Sequence, residues 1–510
     1  MASYPLCPQR LCQLLLLLWP LFIYASIVTR LPGFHGPLPF HLETGYVGVD
    51  EVQFFYYFIE SEGNPAQDPL LLWLRCGPGC SSFSALIFQN GPLKLRSVKY
   101  NGILPTLLYH PFSWTKLSNM LFLDSPVGAR FSFSDTPETY IDGDVTSSLR
   151  VHKFIIKGFS YLMLIMFFCL IDHPKFLSNP LYVCGDSYGG KVVPFITHLI
   201  SQGIESGVQP LLNLKGYLIG NPITGEVIDT NARVPYAHNM GIISDEIYKE
   251  RIMQTLPRLC VLSYEARTLQ KASRTRVYFD EINMDHILEP KCPQASPKQK
   301  NLSAERRFFK DGHKMFTVPP DVPPLKCRSY GYYLSGIWAN NDVVRDALRI
   351  QKGTVPEWIR CNHNLQYAYT TLKKNYRGVA SNVKYQHKLT RREIPRITQL
   401  LFALNALKET RASSLQFQAA LFFFFSTFYQ GFQIRTGGDH DLVVPHIGTQ
   451  TWIRSLNYSI IDDWRSLFFG GQVAGYPNNL TFATIKGAGH TVPEYKPKES
   501  LAMVAMHAPQ

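Results

Sequence analysis

The 510-residue sequence carries no internal repeat, no zinc-ligand spacing and no concentrated block of one charge. The cysteines fit no metal set, since Cys76-x-x-x-Cys80 has no matching second pair, and no motif calls for a cofactor. Basic residues are in excess, 51 Lys and Arg against 38 Asp and Glu for a net +13. They are not gathered, however. The richest stretch, 251–314, holds 13 against 7, is mixed with Pro and Ser, and lacks any zinc or RNA-recognition motif. The excess therefore reads as a solvated surface, not a nucleic-acid footprint. Beyond the amino terminus no apolar run is long enough to span a bilayer: Tyr161 to Ile171 is 11 residues and Leu421 to Phe425 is 5. Low-complexity sequence is missing too. With 45% hydrophobic and 17% charged residues the chain can bury a large core, which excludes global disorder.

What is present begins with a leader-like start. Arg10 precedes Leu14 to Leu18 and then Trp19 to Val28, with small residues Ala25 and Ser26 ahead of Thr29 and Arg30. This is the layout of a secretory signal peptide over residues 1–29, with the mature chain starting near Arg30 and no stable membrane anchor after cleavage. An uncleaved anchor is the alternative, because the run including Cys12 approaches the ~20 residues a span needs. Sequons at Asn301, Asn457 and Asn479 agree with the secretory reading and a secreted or vacuolar destination. Eight cysteines outside the leader (76, 80, 169, 184, 260, 292, 327 and 361) permit disulfides without fixing their connectivity.

Strand-like and helix-like pieces alternate, the pattern of an α/β fold. Val52 to Ile59, Leu70 to Leu74, Met120 to Leu123, Leu181 to Val183 and Leu214 to Leu218 read as strands. After Ser187 the residues Val192, Val193, Phe195, Ile196, Leu199 and Ile200 recur at the spacing of one buried helix face. Between 225 and 335 the alternation gives way to polar, Pro-containing sequence. The expected organisation is a core in two parts, 30–224 and 336–510, interrupted by a cap at 225–335.

The chemistry is concentrated in Gly185-Asp186-Ser187-Tyr188-Gly189. An apolar strand before it and an amphipathic helix after it are the context of a nucleophile elbow, with the Tyr188 N–H at the helix N-terminus where negative charge is favoured. A serine nucleophile requires a carboxylate and then a histidine downstream. Phe432 to Gly438 is a strand leading into Asp439-His440-Asp441, and Thr481 to Ile485 leads into a Gly-rich loop presenting His490. Asp441 is an alternative to Asp439, and His440 and His446 compete with His490.

The motifs Phe40-His-Leu-Glu-Thr-Gly-Tyr, Gly77-Pro-Gly-Cys-Ser-Ser, Phe122-Leu-Asp-Ser-Pro-Val-Gly, Gly220-Asn-Pro, Trp338-Ala-Asn, Gly438-Asp-His-Asp-Leu-Val-Val-Pro and Gly487-Ala-Gly-His-Thr-Val-Pro-Glu-Tyr run through the mature chain. Together they resemble the serine carboxypeptidase family, most closely the plant serine carboxypeptidase-like acyltransferases. The resemblance implies an α/β-hydrolase fold with an inserted cap, and a triad of Ser187, Asp439 and His490. It also implies an oxyanion hole from the N–H groups of Gly77 and Tyr188, and disulfides Cys80–Cys361 and Cys292–Cys327. Cys184 then remains as a small buried apolar residue.

Family peptidases hold the substrate's terminal carboxylate with an Asn and two Glu residues; here those positions read Arg75, Gln89 and Asp186. The resemblance therefore favours transfer of an acyl group from a glucose ester of an aromatic acid to an alcohol, so that the partners are small-molecule donor and acceptor. Release of C-terminal amino acids from peptides is the alternative, and an inactive, mis-spliced homologue the third. Arg75 is expected to pair with Asp186, to bind an acidic acceptor, or to point to the surface. Two blocks depart from the family: about eleven extra residues within Gly158 to Cys169, expected to bulge out of a helix, and a Phe-rich block near 391–428 that resembles translated intron sequence. Cys76 stands where the family has a glycine.

Overall fold

In the computed structural model of the chain, residues 24–75, 77–164, 176–224, 226–249, 279–293, 322–362, 365–368, 432–468 and 470–507 are described. Twelve strands form one mixed sheet: β1 (Tyr24–Val28), β2 (Leu42–Val49), β3 (Val52–Ile59), β4 (Leu70–Leu74), β5 (Asn119–Leu123), β6 (Phe133–Ser134), β7 (Leu181–Asp186), β8 (Leu214–Gly220), β9 (Phe432–Gly438), β10 (Asp462–Ser466), β11 (Gly471–Tyr476) and β12 (Leu480–Ile485). Their spatial order is β1-β2-β3-β5-β4-β7-β8-β9-β12-β11-β10, with β6 pairing on β3. The run β5-β4-β7-β8-β9-β12 is parallel. Antiparallel pairs extend both edges.

The parallel strands are short continuous apolar runs because both faces of the sheet are covered. Successive side chains of a strand point to opposite faces. In β4, Leu70, Leu72 and Leu74 join Leu181 and Val183 of β7 in one core layer. That layer also takes in Val151, Phe154 and Ile155 of helix α2 (Asp144–Leu164) and Val192, Val193, Ile196 and Ile200 of α3 (Gly189–Glu205). On the other face, Leu71 and Trp73 of β4 pack with Tyr182 and Cys184 of β7, with Phe83 of α1 (Phe83–Phe88) and with Trp338 of α5 (Arg328–Ala339). Phe83 and Trp338 stack with centroids 4.9 Å apart. Other helices among the described residues include α4 (Glu226–Asn239), α6 (Asp342–Ala347), α7 (His446–Ser455), α8 (Val492–Tyr495) and α9 (Pro497–His507). This is the expected α/β-hydrolase arrangement, and every strand read from the sequence lies within a strand of the sheet.

Two places differ from the sequence reading, and others fall outside the described residues. Tyr24–Val28, assigned to the leader, forms an edge strand paired with β2 through Tyr24↔Tyr46 to Val28↔Leu42. Helix α2 continues to Leu164, so the backbone of the first block extends the helix into residues 158–164 where a bulge was expected. Its remainder, the 391–428 block, Asn301, Cys76, Cys169 and Cys260 lie outside the described residues.

Disulfides join Cys80 to Cys361 and Cys292 to Cys327, the two pairings the resemblance implies. Cys184 is free and buried, and burial pushes its thiol pKa far up, which makes it inert. Among the described residues, no helix is long and apolar enough to cross a membrane.

Candidate active site

The carboxyl ends of the parallel strands β4, β7, β9 and β12, with β8 between β7 and β9, converge on one place. β7 delivers Asp186 and Ser187, β4 delivers Arg75, β9 leads into Asp439 to Asp441, and β12 leads into the loop that carries His490. Open α/β sheets place their sites at this edge.

Ser187 occupies the left-handed region at φ 53, a strained conformation for a residue with a Cβ. The surrounding backbone holds it there. Its N–H donates to the Gly220 carbonyl at 2.8 Å, and its own carbonyl accepts from the Ile223 N–H at 2.8 Å. The turn demands glycine most strictly at Gly190, where a Cβ would lie 2.4 Å from the Ile223 carbonyl oxygen. Tyr188 then stands at the N-cap position of α3. Orphan N–H groups and the helix dipole favour an anion at such an end.

The Ser187 hydroxyl lies 2.8 Å from Nε2 of His490, and Nδ1 of His490 lies 2.9 Å from Oδ2 of Asp441. Asp441 is fully buried. Its Oδ2 also accepts from the Asn221 amide at 2.7 Å, and its Oδ1 accepts from the N–H groups of Val443 and Val444 at 2.7 and 3.1 Å. These donors fix the orientation of the carboxylate, with Oδ2 facing the imidazole. Burial opposes charging of the His490 ring, but the Asp441 carboxylate outweighs it and holds the pKa above the ordinary histidine value; Asp285 and Asp186 add to that effect.

The carboxylate that meets His490 is therefore Asp441, a correction to the assignment of Asp439 drawn from the resemblance. Asp439 turns the other way: its Oδ1 accepts the Gly487 N–H at 2.6 Å, and its carbonyl accepts the Tyr236 hydroxyl at 2.5 Å. It ties the acid loop to the histidine loop. The competing histidines are also placed. His440 packs on His286 with centroids 5.0 Å apart, while His446 is half-buried near Tyr236, where loss of solvent pushes its pKa down.

Around the nucleophile, Asp186 accepts from the Arg75 guanidinium and, at 2.8 Å, from the Gln89 amide. All three side chains are buried. Of the fates expected for Arg75, pairing with Asp186 is the one observed. Gly77 stands in the loop after Arg75, and a Cβ there would come within 2.6 Å of the disulfide-bonded Cys80 Sγ. The following serines are clamped by buried Asp124, which accepts from the Ser82 N–H at 2.6 Å, the Ser82 hydroxyl at 2.7 Å and the Phe131 N–H at 3.1 Å.

A profile of the serine carboxypeptidase family matches residues 32–390 and 433–508. The chain belongs to the serine carboxypeptidase family. Serine carboxypeptidase-like 7 of Arabidopsis thaliana is 40% identical over 492 residues, covering 94% of this chain and 92% of the relative. Serine carboxypeptidase-like 9 of the same plant is 40% identical over 491 residues, covering 94% and 93%. Among solved structures, a prohormone-processing carboxypeptidase from Saccharomyces cerevisiae, Kex1(Δ)p, superposes with a TM-score of 0.59 at 17% identity, covering 92% of this chain and 91% of that one. That likeness establishes the α/β-hydrolase fold. The family match is interrupted between 390 and 433, which brackets the 391–428 block.

Sequence reasoning quoted Asn221 as part of a motif but gave it no role; its placement after β8, beside the acid loop, only becomes visible once β8 and β9 are paired. It missed the segment around Asp285 altogether. The Asp285 carbonyl accepts the His490 N–H at 2.7 Å, and Leu442 N–H donates to Met284 O at 3.0 Å, so this one strap supports both loops. No local pattern in 283–287 carries that signal.

Proposed function

We propose that this serine carboxypeptidase-like protein is an acyltransferase that moves an aromatic acyl group from a glucose ester to an alcohol through an ester on Ser187. His490 Nε2 takes the Ser187 proton as Oγ attacks the donor carbonyl, and Asp441 stabilises the resulting imidazolium. The N–H groups of Gly77 and Tyr188 receive the oxyanion. Collapse breaks the bond to the glucose oxygen, which leaves with the proton from His490. An acceptor hydroxyl then gives its proton to His490, attacks the acyl carbon, and restores Ser187. No cofactor enters these steps.

The observation that carries the transferase reading is the Arg75–Asp186–Gln89 cluster beside the nucleophile. Here the acid adjoining Ser187 faces a guanidinium and an amide rather than a second carboxylic acid. A peptide carboxylate entering this site has to compete with Asp186 for Arg75, and displacing one partner of a buried ion pair is costly.

Entry into the secretory pathway fits the two disulfides and the exposed sequons. Asn457 and Asn479 both sit in exposed turns. Family members of this kind are secreted or vacuolar. For β1 to remain in the sheet, leader cleavage has to fall ahead of Tyr24, upstream of the boundary read from the sequence.

The test offers purified protein a panel of aromatic acyl glucose esters with alcohol acceptors and, separately, blocked dipeptides. Ester product with little dipeptide cleavage supports the transferase. Efficient release of C-terminal amino acids without ester product overturns it in favour of the peptidase.

A further inference from the structure

The two N–H groups assigned to the oxyanion hole come from separate loops, one after β4 and one after β7. Their convergence has to be enforced by something that touches both. One short stretch of chain does so, and no part of the reaction described above uses it.

At one end, residues 360–362 are laced to the loop that carries Gly77. Cys361 is disulfide-bonded to Cys80, the Ser81 N–H donates to the Arg360 carbonyl at 2.9 Å, and the Asn362 N–H donates to the Gly79 carbonyl at 2.9 Å. A few residues further on, the chain reaches the elbow. The Tyr367 hydroxyl donates to Oδ1 of Asp144 at 2.9 Å. The Tyr188 hydroxyl donates to the same carboxylate, at 2.8 Å to Oδ1 and 3.0 Å to Oδ2. The two rings meet edge to face at 6.2 Å, and Tyr367–Ala368 pairs in parallel with Asp142–Gly143, just ahead of Asp144. Asp144, Tyr188 and Tyr367 are all buried.

We infer that residues 360–362 and 365–368 act as a strap that fixes the separation of the two oxyanion donors, anchored by Asp144 as a positioning residue. The proposal rests on the acyl-enzyme reading of Ser187. Asp144 touches no reacting atom. Its carboxylate is the first residue of α2, where the helix dipole favours it, and charge-assisted bonds from two phenols are stronger than neutral ones. Because the Tyr188 ring is held at its far end by Asp144, its backbone N–H is held at the near end. The disulfide does the same for the Gly77 loop from the opposite side.

The test measures second-order rate constants for labelling of Ser187 by a fluorophosphonate and by its P=S analogue, in the full chain. In this probe the serine oxygen bonds to phosphorus, fluoride leaves, and the P=O oxygen occupies the oxyanion site. Sulfur fits the donors poorly, so the P=O to P=S rate ratio reports on the hole itself. Losing one donor outright costs about 10²–10³ in rate. Tyr367→Phe, which removes a single oxygen and no packing, is expected to slow P=O labelling roughly tenfold and Asp144→Asn further, with the ratio shrinking in both. A merely structural role lowers melting temperature or the labelled fraction and leaves both rate constants and their ratio as in wild type; that result overturns the strap. Failure of the wild-type protein to label at all overturns the acyl-enzyme reading, and the strap with it.

Discussion

Nδ1 of His490 lies 2.9 Å from Oδ2 of Asp441, while the carboxylate of Asp439, two residues upstream, binds the Gly487 N–H instead. The two acids share a loop and divide its work: one faces the base, the other fastens the loop that carries the base. They are separable by mutation. Asp441→Asn should lower kcat per labelled site by about 10⁴, the scale of losing a triad carboxylate. Asp439→Asn keeps an acceptor oxygen for Gly487 and should cost roughly tenfold or less, about 1.4 kcal/mol. Comparable losses in both variants would contradict the assignment.

The pH dependence follows from the direction of the His490 shift. The ring acts as a base only when neutral, and Asp441 raises its pKa above the ordinary ~6.5. Activity should therefore fall on the acid side through a pKa higher than that of an ordinary histidine. In Asp441→Asn the carboxylate's contribution is gone, so the residual activity should show its acid limb at lower pH. A pH–rate profile of kcat/KM for both proteins checks the shift, and an acid limb that stays in place counts against it.

How much of this was legible in the sequence depends on range. The elbow could be read because strand, Gly-x-Ser-x-Gly and amphipathic helix are contiguous, the buried face of α3 because its burial follows the 3.6 period, and β4 because a strand covered on both faces is one continuous apolar run. The choice between Asp439 and Asp441 could not, because both follow the same strand and the deciding contacts are non-local: Asn221 and His490 lie far from Asp441 in the chain. One local cue was present. The Asp441 side chain accepts from Val443 and Val444 N–H, a turn typical of Asp that leaves its other oxygen free to face a partner. For Arg75 the sequence offered pairing with Asp186 as one of three fates, and choosing among them needed the fold, since Asp186 stands 111 residues away.

Removing one member of the Arg75–Asp186 pair leaves a buried charge with fewer partners. Arg75→Gln should destabilise the fold by roughly 3–5 kcal/mol, measured by denaturant unfolding. A loss under about 1 kcal/mol, the value of a solvated pair, would show that the pair is not buried in solution.

Restoring the family peptidase residues is a test of specificity in the opposite direction. The triple variant Arg75→Asn, Gln89→Glu, Asp186→Glu replaces the ion pair with carboxylic acids able to share a proton with a peptide carboxylate. Release of C-terminal amino acids from blocked dipeptides at acidic pH should rise by at least roughly tenfold, ~1.4 kcal/mol. No gain in a folded, fluorophosphonate-reactive variant would mean that other residues set the specificity.

The 391–428 block coincides with the interruption in the family match between 390 and 433. Its excision, together with Phe159 to Cys169, should raise the soluble secreted yield, because apolar runs added to the family's sequence pattern favour aggregation. Yield is read by immunoblot of medium against cell pellet, and an unchanged or lower value would show that the blocks are integral to the fold.

The central claim, a covalent acyl group on Ser187 that passes to an alcohol, is tested most directly by trapping it. Protein mixed with an aromatic acyl glucose ester is acid-quenched, digested, and the peptide containing Ser187 weighed, with and without a chase of alcohol acceptor. The account predicts a mass increase equal to the acyl group on Ser187, absent in Ser187→Ala, that disappears on the chase as ester product forms. Ester formation with no adduct on Ser187, or an adduct that the alcohol does not discharge, would contradict it.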